Sequence, residues 1–580
     1  MLSVILIWFY MAVTTFLFGY GILTFLTHFC TYRVQKWDSY FLCGLAGVTV
    51  YAQFFSLLAP VGLAANLILS GICLAFFFLC RTKLLEETRN ICDRIKQQKE
   101  NCGRKFYDRI VLGVFLIFIY AYGTSRGIIH YDTGLYHAQS IRWIEEYGVV
   151  AGLGNLHCRL AYNSASFALS ALYSMAFLGG QSYHCVAGFL ALLLAFDCLK
   201  IFNIFQRKRI KTSDFARLMG IYYLLIIFDE MVSPASDYFM VLTAFYIMIR
   251  FLDLLEKKED AIFPYAMLCV LGVYLMTIKL SAALIVLLVI KPAWMLIREK
   301  NWKETGIYLM LGILTAVPYL IRNVVISGWL VYPFTFLDFF SPDWKIPEGI
   351  AAYDAKEIQV WGRGYSDVIK YDISIMEWLP DWFRSLGGMD RLFVLAALVS
   401  VVLFLLRFAW YLTDFLRKKK SLPEKLLPEG VLSLCFLFWL FSSPLIRYGC
   451  VYAYLLPAVV LGDIATEFLH VEENSRCGRL LTVEKRKKLE KVCIAVTGLF
   501  LLYKATAFGR ELVNSYVNDY WVYQKDYENF ATRSYEIDGI TFYCPVTGDQ
   551  VGYESFPSSP TEAQITLRGE GLEDGFRYKE

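Results

Sequence analysis

Residues Ser164-Ala-Ser-Phe-Ala-Leu-Ser-Ala-Leu-Tyr-Ser-Met-Ala-Phe-Leu178 decide how this chain threads a membrane. The stretch is apolar, but it is short and rich in small hydroxyl residues. If it crossed the bilayer, every basic loop after it would face the opposite side from the basic loop before it. We therefore expect a helix that lies on or dips into the outer leaflet. An ordinary span, with a topology exception elsewhere, is the alternative.

The composition around this stretch is that of a polytopic membrane protein. The 580 residues are 57% hydrophobic and 19% charged, with a mean hydropathy of +0.47. Soluble domains are about 45–50% apolar and about 25% charged. The apolar residues form blocks of about 17–22, which is the length of a membrane helix. This pattern excludes a soluble enzyme, a disordered chain, a coiled coil and a disulfide scaffold.

We predict an all-α polytopic fold with about fourteen transmembrane helices and the N-terminus outside. The orientation follows from basic clusters, which mark cytoplasmic loops. They are residues 81–109, Arg207-Lys208-Arg209 with Lys211, Lys257-Lys258, Arg298 with Lys300 and Lys303, Arg417-Lys418-Lys419-Lys420, and Arg479 with Lys485-Arg486-Lys487-Lys488. The predicted spans are residues 2–27, 40–59, 61–80, 110–126, 183–204, 218–232, 238–255, 262–278, 281–297, 305–321, 391–412, 430–446, 448–468 and 492–508.

The spans divide the chain into three parts. Residues 1–109 form a three-span extension with a basic cytoplasmic loop, residues 110–508 form the transmembrane core, and residues 509–580 form an outer tail domain. The core carries two outer loops, 127–182 and 322–390. The tail contains a strand-like run, Ile540-Thr-Phe-Tyr-Cys-Pro-Val546. The chain has no N-x-[ST] sequon, which favours a bacterial protein of the inner or plasma membrane.

Four acids and three bases lie at the predicted outer boundary, in six segments. Charges at membrane depth are costly, so their positions are informative. Together they favour an anionic, sugar-bearing ligand that enters from the lipid. Taken singly, the acids are equally typical of helix caps and the bases of headgroup anchors. The seven residues are Asp132, Asp229, Glu230, Asp237, Lys279, Arg322 and Arg447.

The first outer loop is also rich in histidine. His130, Asp132 and His137 are ligand types for a divalent metal, but their spacing matches no recognised site. Hydrogen bonding of the rings at the interface is the alternative. No cofactor is predicted with certainty, and a divalent metal is left open. Nucleic acid is not a predicted partner, because the net charge of +4 sits mostly in short loops.

Four stretches of the chain carry a family resemblance. The first outer loop begins His130-Tyr-Asp-Thr-Gly-Leu-Tyr-His137, ends its first helix at Gly148, and continues as an apolar helix to Gly179. Ser233-Pro-Ala-Ser-Asp237 is a second acidic motif, and Thr277-Ile-Lys279 ends a span. These stretches resemble motifs of the GT-C superfamily of integral-membrane glycosyltransferases, which includes aminoarabinose transferases and protein O-mannosyltransferases.

The resemblance covers about residues 110–330 and has two departures. Thr133 follows Asp132 where many GT-C members have Asp-Glu or Glu-Asp, and residues 1–80 precede the family's usual first span. The stretch from Pro318 to Pro333 is similar to uncharacterised bacterial polytopic membrane proteins found among surface-polysaccharide functions.

The resemblance implies a GT-C-like core that moves a sugar from a polyprenyl-phosphate donor to a glycan or lipid-linked acceptor outside the cell, in surface-polysaccharide assembly. Asp132 would take the acceptor proton, and Asp237 would orient Lys279 or a sugar hydroxyl, or hold a metal. Tyr136 and His137 would bind substrate. Lys279, Arg322 and Arg447 would bind and stabilise the phosphate leaving group. Four tryptophans of the second loop would stack on sugars or form an aromatic belt: Trp344, Trp361, Trp378 and Trp382.

Three other functions stay open at this stage. A transporter or flippase for lipid-linked glycans would carry charges near the bilayer midplane rather than at one boundary. A polysaccharide polymerase also has large outer loops. A non-catalytic relative would keep the fold without the chemistry.

Overall fold

The computed structural model describes residues 1–30, 32, 37–102, 104–204, 209–418, 421–470, 483–514 and 520–579. Five residues of the predicted basic clusters lie outside the described residues, namely Arg207, Lys208, Lys419, Lys420 and Arg479. The described chain is mostly helical, with a small region of strands near its C-terminal end. This confirms the coarse prediction of a helical polytopic chain.

Within the described ranges, nine helices are long and apolar enough to cross a membrane, so the chain is a membrane protein. They are Leu2–Leu26, Leu63–Gln97, Tyr107–Ser125, Val186–Asn203, Ser236–Lys257, Leu280–Glu299, Trp302–Ser327, Gly388–Arg417 and Ile446–Leu469. The other predicted spans coincide with helices that are shorter or less apolar, and the total of fourteen therefore stays a prediction. These are Asp38–Ser56, Thr212–Ile226, Ile262–Ile278, Leu426–Ser442 and Val483–Asn514.

The helix Ser236–Lys257 is the centre of the bundle. It is buried over almost its whole length, as expected for a helix with apolar and aromatic residues on every face. Its two ends are polar, with Asp237 in the first turn and Asp253 close to the last. The helices packed on it are Val186–Cys198, Thr212–Ile226, Ile262–Ile278 and Ile446–His470.

The stretch quoted first folds as the helix Ala165–Tyr173 followed by a 3-10 turn, Ala176–Leu178. Nine helical residues extend about 14 Å, which is about half of the hydrocarbon core. The helix is therefore too short to cross. All nine residues are buried in protein, so the helix does not lie against lipid. Its expected depth at the outer leaflet stays a prediction. Its alanines and serines allow close packing against Asp38–Ser56 and Ala138–Glu146.

The second long loop contains two helices, Glu348–Gly362 and Ile375–Ser385. Trp378 and Trp382 are only 1% and 5% exposed, so they are core residues and neither stack on sugars nor form a belt. The Trp344 indole donates to Val324 O at 3.1 Å. Trp361, at 49% exposed, is the member of this set that is open to a ligand.

The C-terminal region folds as a small β domain over residues 520–579. The strand-like run predicted at Ile540–Val546 is confirmed, since β2 (Ile540–Pro545) pairs antiparallel with β1 (Thr532–Ile537). A second pair joins β3 (Ile565–Leu567) to β4 (Phe576–Tyr578). The domain lies on the loop 127–182, which the sequence predicts to be outside, and Phe576 N donates to Ala151 O at 2.9 Å.

Candidate functional site

Asp132 lies directly before a π-helical turn, Thr133–His137, and does not cap it. Its Oδ2 instead accepts a 2.6 Å hydrogen bond from Nη2 of Arg447. Its Oδ1 makes no hydrogen bond to any described residue. The helix-cap alternative for this acid is therefore not what the structure contains. The carboxylate is turned toward a cation and keeps one oxygen available.

Arg447 joins two acids that come from distant parts of the chain. It lies in the first turn of the helix Ile446–His470, and its Nε is 3.8 Å from Oδ2 of Asp237. The same guanidinium contacts the His130 ring. The Arg447 side chain is 30% exposed, so a ligand can reach it. It is not a headgroup anchor, because its partners are protein carboxylates.

Lys279 extends this arrangement on the other side of Asp237. The lysine donates to Asp237 Oδ1, and its Nζ lies 3.7 Å from the centroid of the Tyr448 ring. The backbone of Lys279 is extended (φ −152°, ψ 125°), which ends the helix Ile262–Ile278 and lets the side chain point inward. Lys279, Asp237, Arg447 and Asp132 thus form one row of alternating charges, which we name the charge row.

Buried hydroxyl groups hold the segments of the charge row together. Thr133 Oγ1 and Ser233 Oγ are 2.9 Å apart, which ties the two acidic motifs to each other. Ser164 donates to Ile278 O at 2.8 Å, beside Lys279. Ser281 donates to Tyr448 O at 3.1 Å. The small hydroxyl residues of the sequence motifs therefore position the charges rather than contact a ligand.

Three further residues of the first loop line the row. His137 is 1% exposed and pairs with Thr133 Oγ1 through Nδ1 at 3.2 Å. Burial lowers its pKa well below the ordinary range, so the ring is neutral. Burial and the positive Arg447 also lower the pKa of His130. Tyr136 packs edge-on against His137, with ring centroids 4.4 Å apart. Burial, and then the charge of Asp132, raise its pKa.

The structure also bears on the metal that the sequence left open. Among the described residues, no group of three or more His, Cys, Asp or Glu side chains is arranged to hold a metal ion. His130 accepts a hydrogen bond from the Asp132 backbone N–H at 3.1 Å. This contact orients the ring within the protein.

Arg322 is the one predicted site residue that the structure does not bring to the charge row. It is 2% exposed and donates through Nε to Asn163 Oδ1 at 2.9 Å and through Nη1 to Ser56. Asn163 in turn donates to Asn323 Oδ1 at 2.9 Å. Arg322 therefore fastens the first loop to the helices Asp38–Ser56 and Trp302–Ser327.

Two of the acids counted at the boundary also have other partners. Asp229 pairs with Arg126 at 2.9 Å, and Glu230 accepts from the Tyr238 hydroxyl. Neither carboxylate is in the charge row. Sequence position alone does not separate them from Asp237, because all three precede or begin the same helix.

Sequence reasoning missed a group of residues that faces the charge row from the two long loops, 127–182 and 322–390. Arg159 is 4.0 Å from Glu357 and lies over Trp361, 5.8 Å from its ring. Burial alone would lower the pKa of Arg159, but the surrounding acidic groups, first Tyr162 and then Asp132, raise it. No motif marks these residues. The only signal was an arginine inside an otherwise neutral part of the first loop.

A buried carboxyl lies behind Arg159. Asp354 is 2% exposed and accepts a 2.9 Å hydrogen bond from Tyr162, and burial raises its pKa. The Tyr162 ring packs edge-on against Tyr136 at 5.6 Å. The second loop is therefore in contact with the same aromatic wall that lines the charge row.

One protein-family model, described as "Domain of unknown function (DUF8201)", matches residues 1–454. The match covers more than half of the chain and includes all of the predicted site residues. No curated protein and no solved structure matches the chain.

Proposed function

This chain belongs to the DUF8201 family, and from the geometry of its site we propose that it is a glycosyltransferase with a GT-C-like core. In this proposal it moves a sugar from a polyprenyl-phosphate donor to a glycan or lipid-linked acceptor on the extracytoplasmic side of a bacterial membrane, in cell-surface polysaccharide assembly. The observation that carries the proposal is the carboxylate of Asp132, which is paired with Arg447 through Oδ2 and open at Oδ1.

The reaction needs one base and a stabilised leaving group. The acceptor hydroxyl oxygen bonds to the anomeric carbon of the sugar while its proton passes to Asp132 Oδ1. The bond between the anomeric carbon and the phosphate oxygen breaks, and its electron pair stays on the phosphate. Phosphate leaves as an anion, so no second carboxyl is required as a general acid. Direct displacement of this kind inverts the anomeric centre.

Two cations are positioned for the charge that develops on the leaving group. Lys279 and Arg447 are held within one row, and both are only partly exposed, which strengthens their interaction with an incoming phosphate. Lys279 is paired with Asp237, and Arg447 is paired with Asp132 and lies 3.8 Å from Asp237. A bound phosphate would share these cations with Asp237, and the carboxylate would keep them oriented.

The acceptor would enter from the side of the second outer loop. Arg159 and the exposed Trp361 lie on that side and offer a guanidinium and an aromatic face to a sugar. A transporter would be expected to place its charges in mid-span. The charge row lies instead in the first turns of two helices and at the end of a third, which favours chemistry at a boundary.

The test is sugar transfer by the purified full-length protein in lipid vesicles. A panel of polyprenyl-phosphate hexoses and pentoses, radiolabelled in the sugar, is offered with a membrane glycolipid extract as acceptor. Asp132→Asn should reduce transfer by about 10²- to 10⁴-fold while donor binding stays unchanged. Asp229→Asn is the matched control, since it removes a carboxylate at the same boundary that pairs with Arg126. Wild-type rates in Asp132→Asn would refute the base assignment, and label crossing the bilayer without transfer would favour the transporter.

The sidedness in this proposal is tested separately with an impermeant thiol reagent on intact cells. Ser534 is exposed on the tail domain, and Cys92 is exposed on the long helix Leu63–Cys102. We expect labelling of Ser534→Cys in intact cells and labelling of Cys92 only after permeabilisation. The opposite pattern would place the charge row in the cytoplasm and exclude a donor that is presented outside.

A further inference from the structure

The π turn next to Asp132 leaves a backbone carbonyl without its helical donor. In an α-helix the N–H of Ala138 would bind the carbonyl of Gly134, four residues earlier. Here it binds the carbonyl of Thr133, five residues earlier. Turns of this type are frequent at functional sites. A buried carbonyl that loses its partner must be satisfied elsewhere.

The C-terminal domain supplies the missing donors. Val551 N and Gly552 N donate to Gly134 O at 2.9 and 2.8 Å. These two residues belong to a segment, 549–555, that runs along the first outer loop and that we name the strap. The strap thus replaces the helical hydrogen bond that the π turn lacks.

Contacts on both sides of Gly134 extend this attachment. Towards Asp132, Gln550 donates through Nε2 to Tyr131 O at 2.9 Å, and the Tyr131 hydroxyl donates to Asp549. Away from it, Gln139 donates to Gly552 O and Ser555 O, both at 2.9 Å. The backbone of Asp132 therefore lies between two residues, Tyr131 and Gly134, that the strap holds.

The fit leaves no room for adjustment at Gly552. Its φ is +73°, and a Cβ there would lie 2.5 Å from Glu528 O. Any larger residue would therefore displace the segment that carries the two N–H donors. Gly134 faces the strap closely as well, since a Cβ on it would meet Phe530 at 2.8 Å and Gln550 at 2.9 Å.

The domain is also attached at places outside the strap. Arg568 pairs with Asp343 at 2.9 Å and lies 4.6 Å from the Trp344 ring, on the second outer loop. Gln524 donates to Thr124 O at 2.9 Å at the end of the helix Arg104–Ser125. These contacts are independent of the first loop's π turn.

We propose that the strap belongs to the functional site. Its residues 549–553 hold the π turn and thereby position Asp132 for proton transfer. Gln550 and Gly552 are positioning residues, because they act through the backbone around Asp132 and touch none of the charge row. The kinetic part of this proposal rests on the proposed function, whereas the structural part does not.

The experiment uses the full-length protein in lipid and compares Gly552→Ala and Gln550→Ala with two controls. Gly539→Ala introduces a similar strain (φ +84°) at the β1–β2 turn, where its Cβ meets nothing. Arg568→Ala removes an attachment remote from Asp132. Hydrogen–deuterium exchange in peptides covering residues 131–142 should rise about tenfold or more in both strap variants and stay at the wild-type rate in both controls.

Transfer kinetics supply the readout that a purely structural contact would not change. The strap variants should lose about 10- to 100-fold in kcat, with an unchanged KM for the lipid donor, because a displaced base harms the reaction and not donor binding. Unchanged exchange in residues 131–142, or equal losses in Gly539→Ala, would overturn the proposal. Raised exchange with full kcat would also overturn it. If the wild-type protein transfers no sugar, the proposed function fails, and the exchange rates alone decide whether the strap holds the turn.

Discussion

The two ends of the same helices carry very different groups of charges. Asp237 and Arg447 begin the helices Ser236–Lys257 and Ile446–His470, whereas Asp253 and Asp463 lie about 24 Å further along them. The first pair belongs to the charge row, beside the long loops 127–182 and 322–390. The second pair belongs to ion networks at the opposite end of the bundle.

The networks at the opposite end are closed. The Arg217 side chain is 3% exposed and donates to both oxygens of Asp253 at 2.8 and 2.7 Å, with Asp197 at 3.4 Å. Arg407 is 13% exposed and binds Glu429 at 2.9 Å and also Asp463. Carboxylates surround each guanidinium closely, so these groups stabilise the packing of neighbouring helices.

The charge row is open by comparison. Arg447 is 30% exposed, its Nε is 3.8 Å from Asp237, and Lys279 pairs with Asp237 and contacts the Tyr448 ring. A charge with incomplete partners and access to solvent can accept a ligand, and a fully paired buried charge cannot do so without breaking the fold. The difference indicates that the networks of Arg217 and Arg407 stabilise the fold, whereas the charge row can bind a ligand.

Arg217→Gln should show the largest effect. It removes the guanidinium that lies between Asp197, Asp214 and Asp253 and leaves Lys200 beside Asp197 and Arg250 beside Asp253, and we expect this to cost about 3–5 kcal/mol of folding free energy. Thermal unfolding in detergent, followed by tryptophan fluorescence, measures this loss. A stable Arg217→Gln protein would mean that the ion network around Arg217 does not stabilise the fold.

Arg447→Gln should give the converse result. We expect a loss of about 100-fold in kcat for sugar transfer, because a leaving-group cation is removed. The loss in thermal stability should be smaller than for Arg217→Gln, since Asp237 keeps Lys279 as a partner. If both variants lose stability equally and transfer is retained, the contrast between the two ends is refuted.

Acid pH should lower the folding stability of the protein through His137, which lies beside the charge row. Its folded pKa lies well below the unfolded value of 6.5, so below pH 6.5 the unfolded chain binds a proton that the folded chain does not. The contribution of His137 to stability should fall with decreasing pH by up to about 1.4 kcal/mol per unit and be constant above pH 6.5.

The measurement is a pH series of unfolding for the wild type and His137→Gln. Burial raises the pKa of Glu145 and Asp354, whose effect has the opposite sign, and the difference between the two proteins isolates His137. Parallel curves for the two proteins would show that His137 does not titrate in this way.

Tyr448→Leu should show the smallest effect. Removing the ring under Lys279 should weaken donor binding by about 1 kcal/mol, or about fivefold in KM. Tyr448→Phe keeps the ring and serves as the control. A loss of the same size in Tyr448→Phe would assign the effect to the hydroxyl and not to the cation–π contact.

Part of the site could be read from the sequence because the motifs sit at span ends. The sequence predicts that four of the site residues lie at the same membrane boundary, namely Asp132, Asp237, Lys279 and Arg447. Charged side chains at one end of a helical bundle share a small area, so they tend to meet. Arg322 was assigned to the same boundary but bonds to Ser56 and Asn163. Hydropathy predicts how deep a residue lies in the membrane, but it does not predict which side chains contact the residue at that depth.

The predicted lipid or sugar contacts of two tryptophans and of the short helix were wrong for a related reason. Trp378 and Trp382 were read as sugar-stacking or interfacial residues and are buried in the core. The helix Ala165–Tyr173, predicted to lie on or dip into the outer leaflet, is enclosed by protein. Apolar composition is the same for a lipid-facing and a protein-facing surface, so only packing distinguishes them.

Local composition was enough to determine that this chain is a helical membrane protein with a small β domain near its C-terminal end. Transfer into hydrocarbon depends on the residues of one segment, and strand pairing at 532–545 depends on neighbours across a two-residue turn. The tertiary structure decided which charges meet and which loop carbonyl is bound by the strap. Those contacts join residues between 42 and more than 400 positions apart, and their energies depend on distance and burial, which no single segment encodes.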